Sequence, residues 1–228
     1  MTTTTTTATA TAAPVTIDIV SDVVCPWCYI GKRHVEQAIA QWQIKHPDAT
    51  VNVRWHPFQL NPDLPLEGTD RKGYLEQKFG GPQRAKEIYA RVAAAGRAAG
   101  LELNFDAILK QPNTLAAHAL MAYAQMVDDG AHADAVAEGL FKAYFVDGEF
   151  IGDVSVLVAI AVDCGLDGEA TRAVLSQQAT LDQIAAQDAS ARQQGISGVP
   201  YFIFNNKVAV SGAQPADALL DAMEKSTA

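Results

Sequence analysis

Strand-forming sequence is confined to the two ends of this chain. Val15 to Val20 (VTIDIV) is β-branched, short and bounded by Ser21 and Asp22, the pattern of a buried strand. Val51, Val53 and Trp55 alternate with polar residues and give a second strand. At the far end, Tyr201 to Phe204 and Val208 to Val210 form two more, joined across Asn205-Asn206. Asn tolerates positive φ, so a short hairpin is expected there. Between them, from about Arg71 to Gln194, nearly everything reads as helix. Leu115, Ala119, Leu120 and Tyr123 fall on one helical face, as do Leu140, Phe141, Tyr144 and Phe145 one helix later. Asp153 is placed to cap a further helix. The order is therefore β-α-β, a helical block, then β-β-α, an α/β chain. Its sheet can close only if the two ends meet and the middle is an insertion. The expected divisions are a Thr/Ala-rich tail at 1–13, a βαβ half at 14–66, a helical insertion at 67–187 and a ββα half at 188–228.

The length, 228 residues, is about one and a half times the ~150 residues of an ordinary domain, in keeping with a domain plus an insertion. Hydrophobic residues make up 49% and charged residues 19%, which excludes a disordered chain. With 17 basic and 26 acidic residues the net charge is −9, so neither nucleic acid nor an anionic membrane surface is an expected partner. No run of about 18 apolar residues is present to span a membrane. Met1 to Ala13 (MTTTTTTATATAA) reads as a disordered tail. It lacks the basic start and apolar stretch of a secretory signal and the Arg of a mitochondrial one, so a reducing cytoplasm is the expected location.

Three cysteines are too few, and too odd in number, for a disulfide scaffold. Cys25-Pro26-Trp27-Cys28 follows the first strand and opens a helix carrying Val35, Ile39 and Trp42, which His46-Pro47 ends. Half of a zinc site would need a second ligand pair. Cys164, His34, His46, His56, His118 and His132 are scattered and supply none. A structural disulfide does not suit a cytoplasm, and two inert core thiols would be odd on either side of a Pro at a helix start. A redox dithiol is the remaining reading, because Cys-x-x-Cys beside a βαβ pattern is its expected setting. Pro26 suits the first helical position, which puts Cys25 at the N-cap and Cys28 at the third. The Cys25 sulfur would then face unpaired backbone N–H groups and the positive end of the helix dipole, both favouring a thiolate. Cys25 is thus the expected attacking, accessible thiol. Cys28, one turn deeper on the same face, is the resolving one.

SDVVCPWCYIGKRH after a strand, with GISGVPYFIFNNKVAVSGAQ near the end, resembles the DsbA-like thiol-disulfide oxidoreductases, and more closely their cytoplasmic FrnE-like branch. The resemblance covers Val15 to the C-terminus, and Asn113-Thr114 and Ala117-His118 in the helical block fit it. It implies a thioredoxin-like fold with a large all-helical domain inserted between the βαβ and ββα halves. It also implies that Cys25 is the nucleophile, Cys28 the resolving thiol, and Pro200 a cis-proline facing the pair. A cis-Pro donates no N–H and exposes the Val199 backbone, on which an extended substrate can pair as an added strand. Val199, Pro26 and Trp27 are the expected substrate contacts. The family dipeptide is Pro-His, whereas Trp27 here supplies bulk and an N–H but no charge. A strongly oxidising potential is therefore not carried over.

The expected function is disulfide exchange with protein or small-thiol substrates, with glutathione or a thioredoxin-type reductant as possible recycling partner and no cofactor beyond the chain's own thiols. Two other readings are a glutathione-dependent isomerase of the hydroxychromene-carboxylate type and a thiol-independent holdase chaperone. Elsewhere, Cys164 reads as a core thiol with a regulatory role as the alternative. His118 reads as structurally hydrogen-bonded, and Trp55 and His56 as packed at the end of their strand. Asp22 reads as a turn residue or, less simply, a proton relay. Ser211 to Gln214 read as a simple cap before the last helix.

Overall fold

A computed structural model of the chain describes residues 14–227. Its four-stranded sheet has the order β2-β1-β5-β6, built from β1 (Val15–Ser21), β2 (Val51–Pro57), β5 (Tyr201–Phe204) and β6 (Val208–Ser211). β1 pairs in parallel with β2, from Val15 opposite Val51 to Ser21 opposite Pro57. On its other edge β1 pairs antiparallel with β5, Ile19 facing Phe202. The two ends of the sequence thus meet on the central strand. That explains why β1 is a near-continuous apolar run: it is covered on both faces. The β5–β6 hairpin turns through Asn205 and Asn206, at φ 50° and 53°. This is the left-handed region that Asn tolerates.

Between β1 and β2 runs α1 (Pro26–Lys45), whose C-cap is His46. α9 (Ala216–Thr227) lies against it and against the hairpin. Ile17, Ile19, Phe202, Phe204, Leu219 and Met223 form one core with the α1 residues Val35, Ala38 and Trp42.

The insertion holds α2 (Arg71–Phe79), α3 (Pro82–Ala98), α4 (Leu115–Met126), α5 (Ala133–Lys142), α6 (Val154–Asp163), α7 (Gly168–Leu175) and α8 (Gln178–Gln193). Asp153 caps α6 as its position predicts, accepting from the Ser155 N–H at 2.7 Å. Three features have no clear sequence signal: a two-residue ladder of β3 (Thr69–Asp70) with β4 (Lys110–Gln111), a π-turn over Ala143–Asp147, and left-handed Asp128 and Asp129. The principal core runs unbroken from the sheet into the insertion through Leu120, Leu140, Phe141 and Phe145. The expected division at residues 187–188 falls inside α8, which is continuous there. α8 and the loop after it close the second face of the sheet: Ala191 of the helix and Ile196 of the loop pack with Val20 and Phe58. Asp188 accepts the Gln59 N–H at 2.8 Å, and Arg192 lies 4.2 Å over the Phe58 ring. The expected tail, residues 1–13, lies outside the described residues.

Candidate active site

Residues 22–24 turn the chain from β1 into α1. The Cys25 N–H donates to the Asp22 carbonyl at 2.9 Å, which starts the turn. Cys25 is the N-cap in extended conformation, Pro26 opens the helix, and the Cys28 N–H bonds back to the Cys25 carbonyl at 2.9 Å. Proline fits there because the first helical N–H has no intrahelical acceptor. Cys25 and Cys28 come within 3.5 Å of each other, and both are free thiols.

The Pro200 loop lies over the pair. The Val199–Pro200 peptide is cis, and the Cys25 thiol donates to the Val199 carbonyl at 3.6 Å. Pro200 can come this close because α1 carries Gly31 opposite it. A Cβ there would sit 3.0 Å from Pro200 Cγ and 3.1 Å from Phe202 Cζ. The structure therefore joins Cys25, Cys28, Val199 and Pro200 from opposite ends of the sequence. Trp27 is 42% exposed at the rim with half-buried Pro26 beside it.

Two expectations about Cys25 need correction. It keeps only 5% of its surface, against 1% for Cys28, so it is the more open thiol but not an open one. Its sulfur also makes no capping bond to the first helical N–H groups. As a protonated thiol it is a donor, and the Val199 carbonyl is the acceptor it finds. Cys28 meets the expectation of a shielded thiol. Burial pushes it well above the ordinary thiol range, and the adjoining Cys25 acts in the same direction by hydrogen bond and charge. The Ser21 hydroxyl and the Asp22 backbone N–H, both in reach of the sulfur, pull the other way.

A group of buried polar atoms that the sequence did not announce lies about the β1–α1 turn. Asp22 is fully buried, and its Oδ2 accepts the Leu60 N–H at 2.7 Å. Its Oδ1 lies 3.4 Å from Nε2 of buried His118 on α4, and neither atom has a hydrogen-bond partner. Ser21 Oγ and Trp55 Nε1 are likewise unpartnered, and with His118 they border a cavity of about 30 Å³. Asp22 thus ties the β1–α1 turn to the Leu60 backbone, and His118 Nε2 has no hydrogen-bond partner. His56 is also corrected: it is not packed at the strand end but half exposed, its Nε2 2.6 Å from Asp18 Oδ1. Gln214 turns its carbonyl to His34 Nδ1 at 2.9 Å. Cys164 caps the end of α6 half-buried, against the Gly139 region of α5, and is not part of this site. Among the described residues no group of three or more His, Cys, Asp or Glu side chains is placed to hold a metal ion. None of the described helices is long and apolar enough to cross a membrane.

The family model of the DSBA-like thioredoxin domain matches residues 16–224. The uncharacterized protein YwbO of Bacillus subtilis (strain 168) is 30% identical over 208 residues, 89% of this chain and 92% of that protein. The crystal structure of a probable DsbA oxidoreductase from Streptomyces coelicolor superposes with a TM-score of 0.81 at 29% identity, covering 93% of this chain and 89% of that one. Two more distant structures share the fold alone. A 2-hydroxychromene-2-carboxylate isomerase has a TM-score of 0.65 at 16% identity, covering 92% and 95%. The cytosolic disulfide reductase DsbM from Pseudomonas aeruginosa, solved with glutathione, has 0.60 at 17%, covering 93% and 95%.

Proposed function

Because this chain belongs to the DSBA-like thioredoxin domain family, we propose that it is a thiol-disulfide oxidoreductase of the FrnE-like, cytoplasmic kind, working on disulfides of proteins or small thiols. The observation that carries this reading is the approach of Cys25 and Cys28 to 3.5 Å at a helix start, with the Val199 carbonyl on the Cys25 sulfur. In the reductive direction the Cys25 thiolate attacks a substrate disulfide R–S–S–R′. One new S–S bond forms to Cys25, and R′–S⁻ leaves and takes up a proton. Cys28 then loses its proton and attacks the Cys25 sulfur, closing the Cys25–Cys28 disulfide and releasing R–S⁻. The proton leaves a buried sulfur, so it needs a buried acceptor. The Asp22 backbone N–H and the Ser21 hydroxyl are in reach of the Cys28 sulfur, and we propose that the Asp22 carboxylate, 3.4 Å from His118 Nε2, takes the proton. An external thiol then reduces the pair; glutathione or a thioredoxin-type reductant fits this role. An extended peptide can pair along Val199 while Pro26 and Trp27 form the rim. No partner other than thiols and disulfides is invoked.

A second thiol one turn from the first favours disulfide exchange over the isomerase reading, since only exchange needs a resolving sulfur. Cys28→Ala leaves Cys25 able to attack but unable to release, so protein adducts soluble in reductant should accumulate. Cys25→Ser should form none and lose insulin-disulfide reduction about 10³-fold or more. Full reductase activity in Cys25→Ser would overturn the proposal. Suppression of aggregation that persists without either thiol, in place of reductase activity, would favour a holdase.

A further inference from the structure

A second cavity, of about 740 Å³, opens between α2, α3 and the 103–109 segment; neither Cys25 nor Cys28 lines it. Arg71, the first residue of α2, lines it with only 5% of its surface exposed. Among the described residues no carboxylate pairs with this guanidinium. Its Nε has no hydrogen-bond partner, and its Nη1 makes only a long bond, 3.5 Å, to the Phe105 carbonyl. Three rings surround it instead: Tyr89, Phe105 and Tyr144, with centroids at 4.9, 5.7 and 6.0 Å. Cation–π attraction offsets part of the cost of burying the charge. The Tyr144 hydroxyl is in reach of the guanidinium, but the ring faces offer it no acceptor, so the forked N–H donors are left with capacity to bind an anion.

We infer that this cavity is a binding site for a small monocarboxylate with an apolar body, held by Arg71. A carboxylate matches the planar fork of a guanidinium, and a single anion matches its single charge. The other charged side chains in the lining, Lys72 and Lys86 against Asp70, Glu76 and Asp106, supply no excess of cations for a phosphate dianion. Asp70 is already engaged as the α2 N-cap, accepting the Gly73 N–H at 2.7 Å. Leu75, Ala93, Leu103 and Ile108 supply apolar wall for the rest of the ligand. Tyr89, which lines the cavity with its ring against the Arg71 guanidinium, has its phenol pushed up by burial, with the Arg71 charge opposing this. Binding does not require disulfide exchange, and its test is separate from that of the redox reaction.

The full chain should be titrated calorimetrically with hexanoate, 3-phenylpropionate and indole-3-acetate, each beside its amide. At least one acid should bind saturably at one site per chain, and at least tenfold more tightly than its amide, since the amide lacks the charge that Arg71 pairs with. Arg71→Met should weaken that binding at least tenfold. Ala93→Trp keeps the guanidinium but fills the cavity and should abolish it. Should Arg71→Met fail to fold, the contrast between acid and amide together with Ala93→Trp decides the matter. No saturable binding by any of the three acids, amides binding as tightly as acids, or undiminished binding to either folded variant would overturn the inference.

Discussion

At Lys32 a buried cation meets three carboxylates, whereas at Asp22 a buried carboxylate meets only an imidazole it does not hydrogen-bond. Lys32 Nζ is paired with Glu36 on its own helix and, across to α5, with Asp134 at 3.1 Å and Glu138 at 3.3 Å. Arg33 and the Tyr29 hydroxyl complete the cluster on Glu138, the hydroxyl at 2.7 Å. Burial alone would push the Lys32 ammonium down. The Glu36 hydrogen bond and the charges of Asp134, Glu36 and Glu138 reverse that and hold it up. Asp22 has one satisfied oxygen and one orphan, beside the orphaned Ser21 hydroxyl and His118 nitrogen. Both groups sit near α1, and both are desolvated. A paired buried charge fixes geometry, here of α1 against α5. A buried polar group whose partners are incomplete, as at Asp22 Oδ1, costs stability instead.

The largest effect should come from breaking the paired cluster. Lys32→Met leaves Asp134 without its cation and Glu36 and Glu138 to Arg33 alone, and should cost about 2–3 kcal/mol in urea denaturation, less than a fully buried pair because Asp134 and Glu138 keep some solvent. Reductase activity per folded molecule should not change, because Lys32 touches neither sulfur. A loss below about 0.5 kcal/mol would place this cluster with ordinary surface pairs and remove one side of the comparison.

Asp22→Asn should behave in the opposite way. Asparagine is the same size and can still accept the Leu60 N–H, so stability should hold to within about 1 kcal/mol. On the proposal that the Asp22 carboxylate takes the Cys28 proton, release of R–S⁻ from the mixed disulfide should slow about tenfold or more. Single-turnover decay of a preformed Cys25–peptide disulfide reads this step. A variant that is strongly destabilised yet resolves at the normal rate would make Asp22 a structural group like Lys32.

The difference between these sites also marks what could be read from one sequence. Cys25, Pro26 and Cys28 were legible because a helix start is a local pattern: cap, proline and spacing fall within four residues. The strands were legible because β-branched runs and an Asn-Asn turn are local too. Pro200 was reached through a family motif, because its partner Gly31 lies at the other end of the chain. The Lys32–Asp134 pair spans 102 residues and the Gln59–Asp188 clamp 129. No periodicity points from one member to the other. His118 was placed on the right helix, but its approach to Asp22 depends on how α4 docks against the β1–α1 turn. Arg71 was read only as the start of the helical stretch; the fold is what buries it. His56 was misread because alternation gives a strand its faces and does not say that Asp18 of the neighbouring strand will face it.

Asp18 gives the smallest expected effect and the finest test of the comparison. It lies on β1 only four residues before Asp22 and is also buried, but it is paired. Arg54 grips both its oxygens at 2.7 and 2.8 Å, and His56 reaches Oδ1 at 2.6 Å. Burial pushes this carboxyl up. Hydrogen bonds from Arg54 and His56, with their charges, outweigh that and hold it below the usual range. A carboxyl whose folded value lies under its unfolded value of about 3.9 binds fewer protons when folded. Its contribution is therefore fully present above pH ~4 and lost as pH falls through the lowered folded value. Arg54 is half exposed, so solvent screening limits that contribution to about 1 kcal/mol. Asp18→Asn should be less stable than the parent by that amount at pH 7, and the gap should close toward pH 3. Denaturation of Asp18→Asn and of the parent at the two pH values decides it. A deficit for Asp18→Asn that persists unchanged at pH 3 would mean that Asp18 acts through its shape and hydrogen bonds, and that charge pairing is not what separates it from Asp22.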